Sequence, residues 1–225
     1  MFLCQSNFVL SAHVRSPIVI SIAHEGFRSH DLDGYFVERE RGLRGSEKYL
    51  SAIVNDVNRD VPIASVIRAL LPRSLCDYNR PLNHAHGEHA VRDLRLVPYW
   101  EFFHRKLQFM LNEAGAYGTP VLIDLHGFST RRSGITHDLV FGSCGGATTP
   151  CGLDMRAVQF FANNGYAVQR AAAHGKFSGG YIVQTYGGLG FSALQIEVSD
   201  RLRNDRSAAE GKRFAKTLRS FLRRH

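Results

Sequence analysis

The chain has 225 residues, of which 44% are hydrophobic and 21% charged, as expected of a globular protein with a sizeable core. It contains no run of about 18 apolar residues, so no membrane-spanning helix is predicted. The net charge of +8 and the pI of about 9.6 bring nucleic acid into consideration as a partner. Much of that charge lies in residues 201–224, where a solvated helix face is the favoured interpretation.

The first ten residues lack the basic and apolar regions of a signal peptide, which favours a cytoplasmic protein. Four cysteines are scattered along the chain, and only Cys144 and Cys151 are close in sequence, at a spacing that matches no zinc motif. Free thiols are favoured, and a disulfide between these two stays open. No linker is visible, so residues 1–225 are predicted to form one domain.

Taken in chain order, the hydrophobic pattern alternates between strands and helices. Apolar runs predict strands at residues 8–10, 18–22, 74–77, 121–125, 138–142, 166–170 and 194–198, with one more at the end of the glycine loop 176–185. Amphipathic patterns predict helices after Gly45 (with Ser46 as N-cap) and at residues 97–111, 154–163 and 207–224. Residues 63–71 fit either type, and residues 27–44 are expected to cross the surface. The alternation predicts an α/β fold with three layers and a mixed, mostly parallel sheet.

The stretch from Thr119 to Ser129 carries the strongest functional signal. Its apolar run ends at His126, and polar groups at the carboxyl end of a strand lie where open α/β folds place their sites. His24 follows the apolar run 18–22 in the same way. Imidazole is a common zinc ligand, so both histidines are candidate metal ligands, although a histidine at a strand end is often only a hydrogen-bonded surface residue.

A third metal ligand is not fixed by the pattern. Glu47, Glu25 and Asp33 are all candidates. Glu47 precedes a predicted helix, where an anion is also favoured by the helix dipole without any metal. The choice between the three therefore stays open at the level of residues alone.

Further polar residues interrupt or follow apolar runs. Glu197 lies within one, where a carboxylate needs a partner and could act as a general base, although a solvent-facing position at a sheet edge is the alternative. Asn79 and Arg80 suit the binding of a carboxylate, with a structural salt bridge as the rival interpretation. The pair Gly179 and Gly180 could bring backbone amides close to a substrate, but such glycine loops are common.

Five motifs in fixed order resemble those of the N-formylglutamate amidohydrolase family. The family pattern runs Ser-x-Pro-His-x-Gly, Asp-x-Asn-Arg, Asp-x-His-Ser, Gly-Gly-Tyr and Gln-x-Glu. The matching stretches are Ser21-Ile-Ala-His-Glu-Gly26, Asp77-Tyr-Asn-Arg80, Asp124-Leu-His-Gly127, Gly179-Gly-Tyr181 and Gln195-Ile-Glu197. The chain departs from the pattern at Ala23, which replaces proline, and at Gly127, which replaces serine.

The resemblance implies a zinc-dependent hydrolase with a fold similar to the zinc carboxypeptidases. It implies one zinc per chain, held by His24, His126 and an acidic residue. The carboxypeptidases' His-x-x-Glu would place that acid at Phe27, and Glu47 is the nearest match to the family's own acidic position.

The remaining roles that the resemblance implies concern the substrate. Asn79 and Arg80 would hold its carboxylate with Gly179 and Gly180 beside it, and Glu197 would be the base. The implied reaction releases formate or another small acyl group from an N-acyl amino acid such as N-formyl-L-glutamate. Two alternatives remain: a carboxypeptidase-like enzyme acting on a peptide C-terminus, and a non-catalytic basic protein that associates with nucleic acid. A small-molecule substrate bearing a carboxylate is favoured, nucleic acid is an unlikely partner, and no membrane association is expected.

Overall fold

The computed structural model describes residues 9–26, 47, 49–82, 90–91, 94–188, 190–203 and 208–225. The strands are β1 Val9–Ala12, β2 Ile18–Ile22, β3 Ser65–Ala69, β4 Val121–Phe128, β5 Leu139–Gly142, β6 Val168–Arg170 and β7 Ser192–Ser199. The helices are α1 Leu50–Val57, α2 Val97–Ala114, α3 Thr130–Ser133, α4 Leu153–Asn163, α5 Tyr181–Tyr186 and α6 Ala208–Leu222. The predicted α/β class is confirmed.

One sheet contains all of these strands, in the order β1-β3-β2-β4-β7-β5-β6. The pairs β2-β3, β2-β4, β4-β7 and β5-β6 are parallel, whereas β1-β3 and β5-β7 are antiparallel. The prediction of a mixed, mostly parallel sheet is therefore confirmed. The longest strands, β4 and β7, lie side by side near the middle of the sheet.

Helices cover both faces of the sheet, as the continuous apolar strands require. All five residues of β2 are buried, and its alternate side chains enter two different hydrophobic clusters. Ile20 packs in the cluster that includes residues of α1, α4 and α6. Val19 packs in the cluster that includes residues of α2 and α5. This is the predicted three-layer arrangement.

The predicted apolar face of the first helix is confirmed, since Leu50, Ile53, Val54 and Val57 are all buried. The helix begins after Tyr49, which adopts a left-handed conformation with φ of 70°. The proposed N-cap Ser46 and the surface excursion 27–44 lie outside the described residues. Residues 63–71, which fitted either type, contain strand β3.

Two predicted strands are wrong. Residues 74–77 form a turn, because the amides of Leu75 and Cys76 bond to the carbonyl of Pro72, and only Cys76 forms an isolated bridge, to Val91. The strand expected at the end of 176–185 is the helix α5. Its apolar residues Ile182, Val183 and Tyr186 recur with helical spacing and pack on the α2 side of the sheet.

The described cysteines, Cys76, Cys144 and Cys151, are free thiols, so Cys144 and Cys151 form no disulfide. None of the described helices is both long enough and apolar enough to span a membrane.

Candidate metal centre and active site

Neighbouring parallel strands bring the two candidate histidines together. His24 follows the carboxyl end of β2, and His126 lies near the carboxyl end of the adjacent strand β4. Glu197, on β7, is the register partner of His126 in the next parallel pair. Because three adjacent strands run in the same direction, their polar residues converge at one edge of the sheet.

Three buried donor groups face one another at this edge. The Nδ1 atoms of His24 and His126 are 3.1 Å apart. One oxygen of Glu47 lies 2.9 Å from His24 Nδ1, and the other lies 3.3 Å from His126 Nδ1. One ligand atom from each residue can be chosen so that all lie within 4.8 Å of one another, and this group could hold a metal ion.

Two further carboxylates face the Nε2 atoms of the imidazoles. His24 Nε2 lies 2.7 Å from Asp77 Oδ1, and His126 Nε2 lies 2.8 Å from Asp124 Oδ2. A carboxylate only accepts hydrogen bonds, so each Nε2 carries a proton and donates it. Glu47 is also a carboxylate and faces both Nδ1 atoms, so these are the nitrogens that a cation would bind in place of a proton. Such carboxylate–histidine pairs are typical of metal sites.

The electrostatics of this group favour a positive charge between the donors. Burial lowers the pKa of His24, but the Glu47 and Asp77 carboxylates outweigh it and raise that pKa above its ordinary value. Burial also lowers the pKa of His126, but the Asp124 and Glu47 carboxylates outweigh it and raise that pKa strongly. The pKa of Glu47 is held well below its ordinary value by the two imidazoles, despite its burial. The donor set therefore fits a divalent cation.

Of the three residues considered as third ligand, Glu47 is the one that the structure brings to the histidines. Glu25 is directed elsewhere: its Oε2 accepts a hydrogen bond from the amide of Ser51 at 3.0 Å and lies 3.2 Å from Arg68 Nε. Asp33 lies outside the described residues.

An open cavity of about 550 Å³ lies over the donor group. Every residue to which the sequence assigned a role lines it: His24, Glu47, Asn79, Arg80, His126, Gly179, Gly180 and Glu197. Arg73, Phe177, Tyr181 and Gln195 are among its other lining residues. Residues far apart in sequence thus line the same cavity.

Glu197 lies in the cavity wall and is almost completely buried. The side-chain amide of Gln195 donates a hydrogen bond of 2.8 Å to its Oε1, and the carbonyl oxygen of that amide accepts one of 2.6 Å from the backbone of Gly180. Burial raises the pKa of Glu197 to about 7; His126 opposes this rise and Glu47 reinforces it. A carboxylate of this kind can exchange protons near neutral pH.

Asn79 and Arg80 lie in the opposite wall, on the turn that follows Asp77. Asn79 Oδ1 accepts a hydrogen bond of 2.9 Å from the amide of Ile182 at the start of α5, and its Nδ2 lies 3.2 Å from His126 Nε2. The guanidinium of Arg80 has Nε 3.7 Å from Asp77 Oδ2, and its side chain is 38% exposed. An arginine in this position can reach an anionic ligand in the cavity.

Gly180 has a steric reason to be glycine. A Cβ at this position would lie 2.0 Å from Asn79 Nδ2, so the close contact between the glycine loop and the turn that carries Asn79 depends on the missing side chain.

Gly127, where the chain departs from the family's serine, is explained by a buried arginine. A Cβ on Gly127 would lie 2.3 Å from Arg203 Nε. The guanidinium donates hydrogen bonds to the carbonyls of Val198 at 3.0 Å and Phe128 at 3.1 Å. The amide of Gly127 donates to Glu47 Oε2 at 3.1 Å, so this backbone also holds a metal-ligand candidate.

Sequence reasoning assigned no role to Asp77, Asp124, Gln195 or Arg73. A signal existed for Asp124, since residues two apart on a strand point to the same face and it therefore had to lie beside His126. Gln195 precedes Glu197 by the same spacing. Arg73, whose Nε donates to Asp77 Oδ2 at 2.9 Å, belongs to no motif and could not have been found.

Comparisons with known proteins identify the family and the fold of this chain. The sequence profile of the N-formylglutamate amidohydrolase family matches residues 16–203. The crystal structure of an N-formylglutamate amidohydrolase from Ralstonia eutropha JMP134 superposes with a TM-score of 0.77 at 20% sequence identity, covering 96% of this chain and 98% of that one. The crystal structure of a gene product from Agrobacterium tumefaciens gives a TM-score of 0.75 at 14% identity, covering 96% and 94%.

These structural similarities, at such low identity, show a common fold. None of the curated proteins compared with the chain is significantly similar to it in sequence. The profile match, in contrast, spans most of the chain and includes each of the five motifs. The chain belongs to the N-formylglutamate amidohydrolase family, and this membership indicates a hydrolase that acts on amide bonds.

Proposed function

We propose that the chain is a zinc-dependent amidohydrolase that releases a small acyl group from an N-acyl amino acid, with N-formyl-L-glutamate as the first candidate substrate. One observation carries the proposal: a buried His-Glu-His donor group, a carboxylate with a pKa near 7 and an exposed guanidinium line the same cavity. Amide hydrolysis needs an activated water, a group that moves its proton, and a means of holding the substrate.

His24, His126 and Glu47 would hold the metal. When bound, zinc supplies Lewis acidity, which polarises a carbonyl group and lowers the pKa of water to about 7. The protein's part is to keep the donors in place: Asp77 and Asp124 keep the protons on the Nε2 atoms, so that the Nδ1 lone pairs stay available.

Glu197 is the general base in this proposal. It accepts a proton from the attacking water at its carboxylate and delivers that proton to the leaving nitrogen of the amide. Its place opposite His126 in the β4–β7 pairing puts it beside the donor group, and the Gln195 amide restricts its rotation. A carboxyl group with a pKa near 7 suits both halves of this proton transfer.

Arg80 and Asn79 hold the α-carboxylate of the substrate. Arg73 is a second cation in the cavity wall, with Nη1 3.9 Å from Glu47 Oε1, and it can stabilise the negative charge that develops on the amide oxygen. Arg73 and Arg80 both line the cavity, and their guanidinium groups offer positive charge and N–H donors to an anionic substrate.

The test combines metal analysis with hydrolysis of N-formyl-L-glutamate by the zinc-loaded protein. We expect about one zinc per chain and release of formate. The variant Glu197→Gln should lower kcat by at least about a hundredfold while it keeps its zinc, since the base is lost and the ligands are not. Glu113→Gln, which changes an exposed residue of α2, is the matched control and should leave both quantities unchanged.

Three results would count against the proposal. A zinc-loaded protein that hydrolyses no N-acyl amino acid would refute it. Equal rates for N-formyl-L-glutamate and for its α-amide would refute the role of Arg80. Hydrolysis of dipeptides in preference to acyl amino acids would instead assign the site to a carboxypeptidase-like enzyme.

A further inference from the structure

The turn that carries Asn79 and Arg80 lies outside the sheet. Few described hydrogen bonds join its backbone to other backbone groups: the amide of Asp77 bonds to the carbonyl of Ala90 at 2.6 Å, and the amide of Arg80 bonds to the carbonyl of Asp77 at 3.2 Å. A short turn with so few backbone bonds depends on other contacts to hold its geometry.

Two side chains of α2 supply such contacts, both directed at carbonyl groups of this turn. The indole Nε1–H of Trp100 donates to the carbonyl of Arg80 at 3.0 Å. The imidazole Nε2 of His104 lies 3.0 Å from the carbonyl of Tyr78. Trp100 and His104 are four residues apart, so they share one face of the helix and reach alternate residues of the turn.

The proton on His104 is placed by its partners. A carbonyl oxygen only accepts hydrogen bonds, so Nε2 carries the proton and donates to Tyr78. The hydroxyl of Tyr186 lies 3.0 Å from Nδ1 and 3.1 Å from the backbone carbonyl of His104, so its one proton is shared between these two acceptors. Burial lowers the pKa of His104 to about 4, so the ring is neutral at pH 7 with its proton on Nε2.

The same aromatic residues also contact Tyr181, at the start of α5. The rings of Trp100 and His104 have centroids 3.9 Å apart, and each lies against Tyr181, at 5.7 and 5.5 Å. Tyr181 lines the cavity and begins α5. Its neighbour Ile182 bonds to Asn79 through the backbone amide. The turn and the glycine loop are therefore both attached to one face of α2.

We propose that Trp100 and His104 are positioning residues for the carboxylate-binding pair: they fix the backbone of residues 78–80 so that Asn79 and Arg80 meet the α-carboxylate of the substrate. The inference rests on the proposed function, since it assigns the substrate's carboxylate to this pair. Neither residue touches the donor group or Glu197. Their effect is on substrate binding and not on proton transfer.

Trp100→Phe is the first test, because phenylalanine keeps an aromatic ring and removes the N–H donor. We expect KM for N-formyl-L-glutamate to rise about fivefold, the effect of one lost hydrogen bond, with kcat changed less than twofold. The rate of hydrolysis of the α-amide, which lacks the α-carboxylate, should not change. Phe109→Leu, on the exposed side of the same helix, is the control.

A pair of substitutions at His104 separates positioning from packing. His104→Leu fills the space but removes the donor, and should raise KM. His104→Gln can place an amide N–H toward the Tyr78 carbonyl, and should restore KM toward the original value. A rise in KM that is equal in the two variants, or a loss of kcat on acid and amide substrates alike, would overturn the proposal.

A second readout does not depend on hydrolysis. Trp100 is the only tryptophan of the chain, so its fluorescence reports directly on the turn. L-glutamate should change the emission in a saturable way, isoglutamine should not, and His104→Leu should weaken glutamate binding by a similar factor of about five. An identical glutamate titration in both proteins, or no response in the original chain, would overturn the inference even if hydrolysis is observed. A weakened titration without any hydrolysis would support the inference and refute the proposed function.

Discussion

The two walls of the cavity are built in different ways. On one wall, His126 and Glu197 belong to central strands, and His24 follows a third strand directly. On the other wall, Asn79 and Arg80 lie on a turn that is held by aromatic side chains of α2 and by the first residues of α5. Metal donors must keep their separation within a fraction of an ångström, which paired strands provide. A turn is less constrained, but this one meets the candidate donors at Asp77, beside His24, and at Asn79, beside His126.

The largest effect is expected from His126→Ala, on the wall built from strands. It removes one of the three donors, so zinc content should fall from about one per chain to near zero, and hydrolysis should fall by about a thousandfold or more. Metal analysis after dialysis checks this. His174→Ala, an exposed histidine, should retain full zinc. If zinc stays bound to the His126 variant, the donor group is assigned wrongly.

Glu197, on the same wall, makes the stability of the metal-free protein depend on pH. Below pH 4.5, its ordinary pKa, the carboxyl is protonated in the folded and the unfolded chain. Between pH 4.5 and about 7 the unfolded chain loses the proton while the folded chain keeps it, so the free energy of unfolding decreases as the pH rises.

Glu197→Gln removes this dependence. Above pH 7 the metal-free variant should be more stable than the original chain by about 3 kcal/mol, and the difference should vanish below pH 4.5. Urea denaturation at pH 5 and pH 8 after treatment with a chelator measures it. A difference that does not depend on pH would show that Glu197 is ionised in the folded protein throughout this range.

Asp124→Asn tests whether the carboxylates behind the imidazoles tune the metal centre. The charge that favours the Nε2 proton of His126 is lost, so zinc affinity should fall by about 10- to 100-fold in competition with a chelating dye. KM at saturating zinc should stay the same, because the turn with Arg80 is untouched. Asp138→Asn, far from the donor group in a surface loop, is the control. A changed KM would show that the two walls are coupled through the contact of His126 with Asn79.

A smaller effect than that of the metal-centre variants is expected from Gly180→Ala, on the wall built from the turn and the glycine loop. The added methyl group would lie 2.0 Å from Asn79 Nδ2, so that side chain must move. We expect KM for N-formyl-L-glutamate to rise about tenfold, while zinc content is unchanged. In Gly115→Ala the nearest atom is 3.9 Å away, and no effect is expected. Loss of zinc from the Gly180 variant would mean that the walls are coupled.

The sequence predicted one wall better than the other for a physical reason. Apolar runs that end in a single histidine or contain one glutamate define both the strand and the position of its polar residue, and the structure brings His24, His126 and Glu197 to one cavity. Residues 74–77 and the helix α5 were predicted as strands, because their few apolar residues also fit a strand and the α2 residues that pack with them are distant in sequence. Propensity within a short window contains no information about such contacts.

The choice of Glu47 over Glu25 shows the same limit. Both are acidic residues beyond β2, and nothing local distinguishes them. The structure separates them through long-range contacts: the amide of Gly127 bonds to Glu47, while Arg68 pairs with Glu25. Long-range contacts of the folded chain therefore separate the two candidates, and the motif alone does not.

The close packing of Gly127 against Arg203 constrains how this protein can change over evolution. A side chain at position 127 cannot coexist with the buried guanidinium, which occupies that volume. Substitutions at the two positions are therefore coupled, and each alone passes through a strained or cavity-containing intermediate. Relatives with serine after the second histidine should carry a smaller or displaced residue at the position of Arg203. A mutagenesis library that aims to reshape this site should vary both codons together.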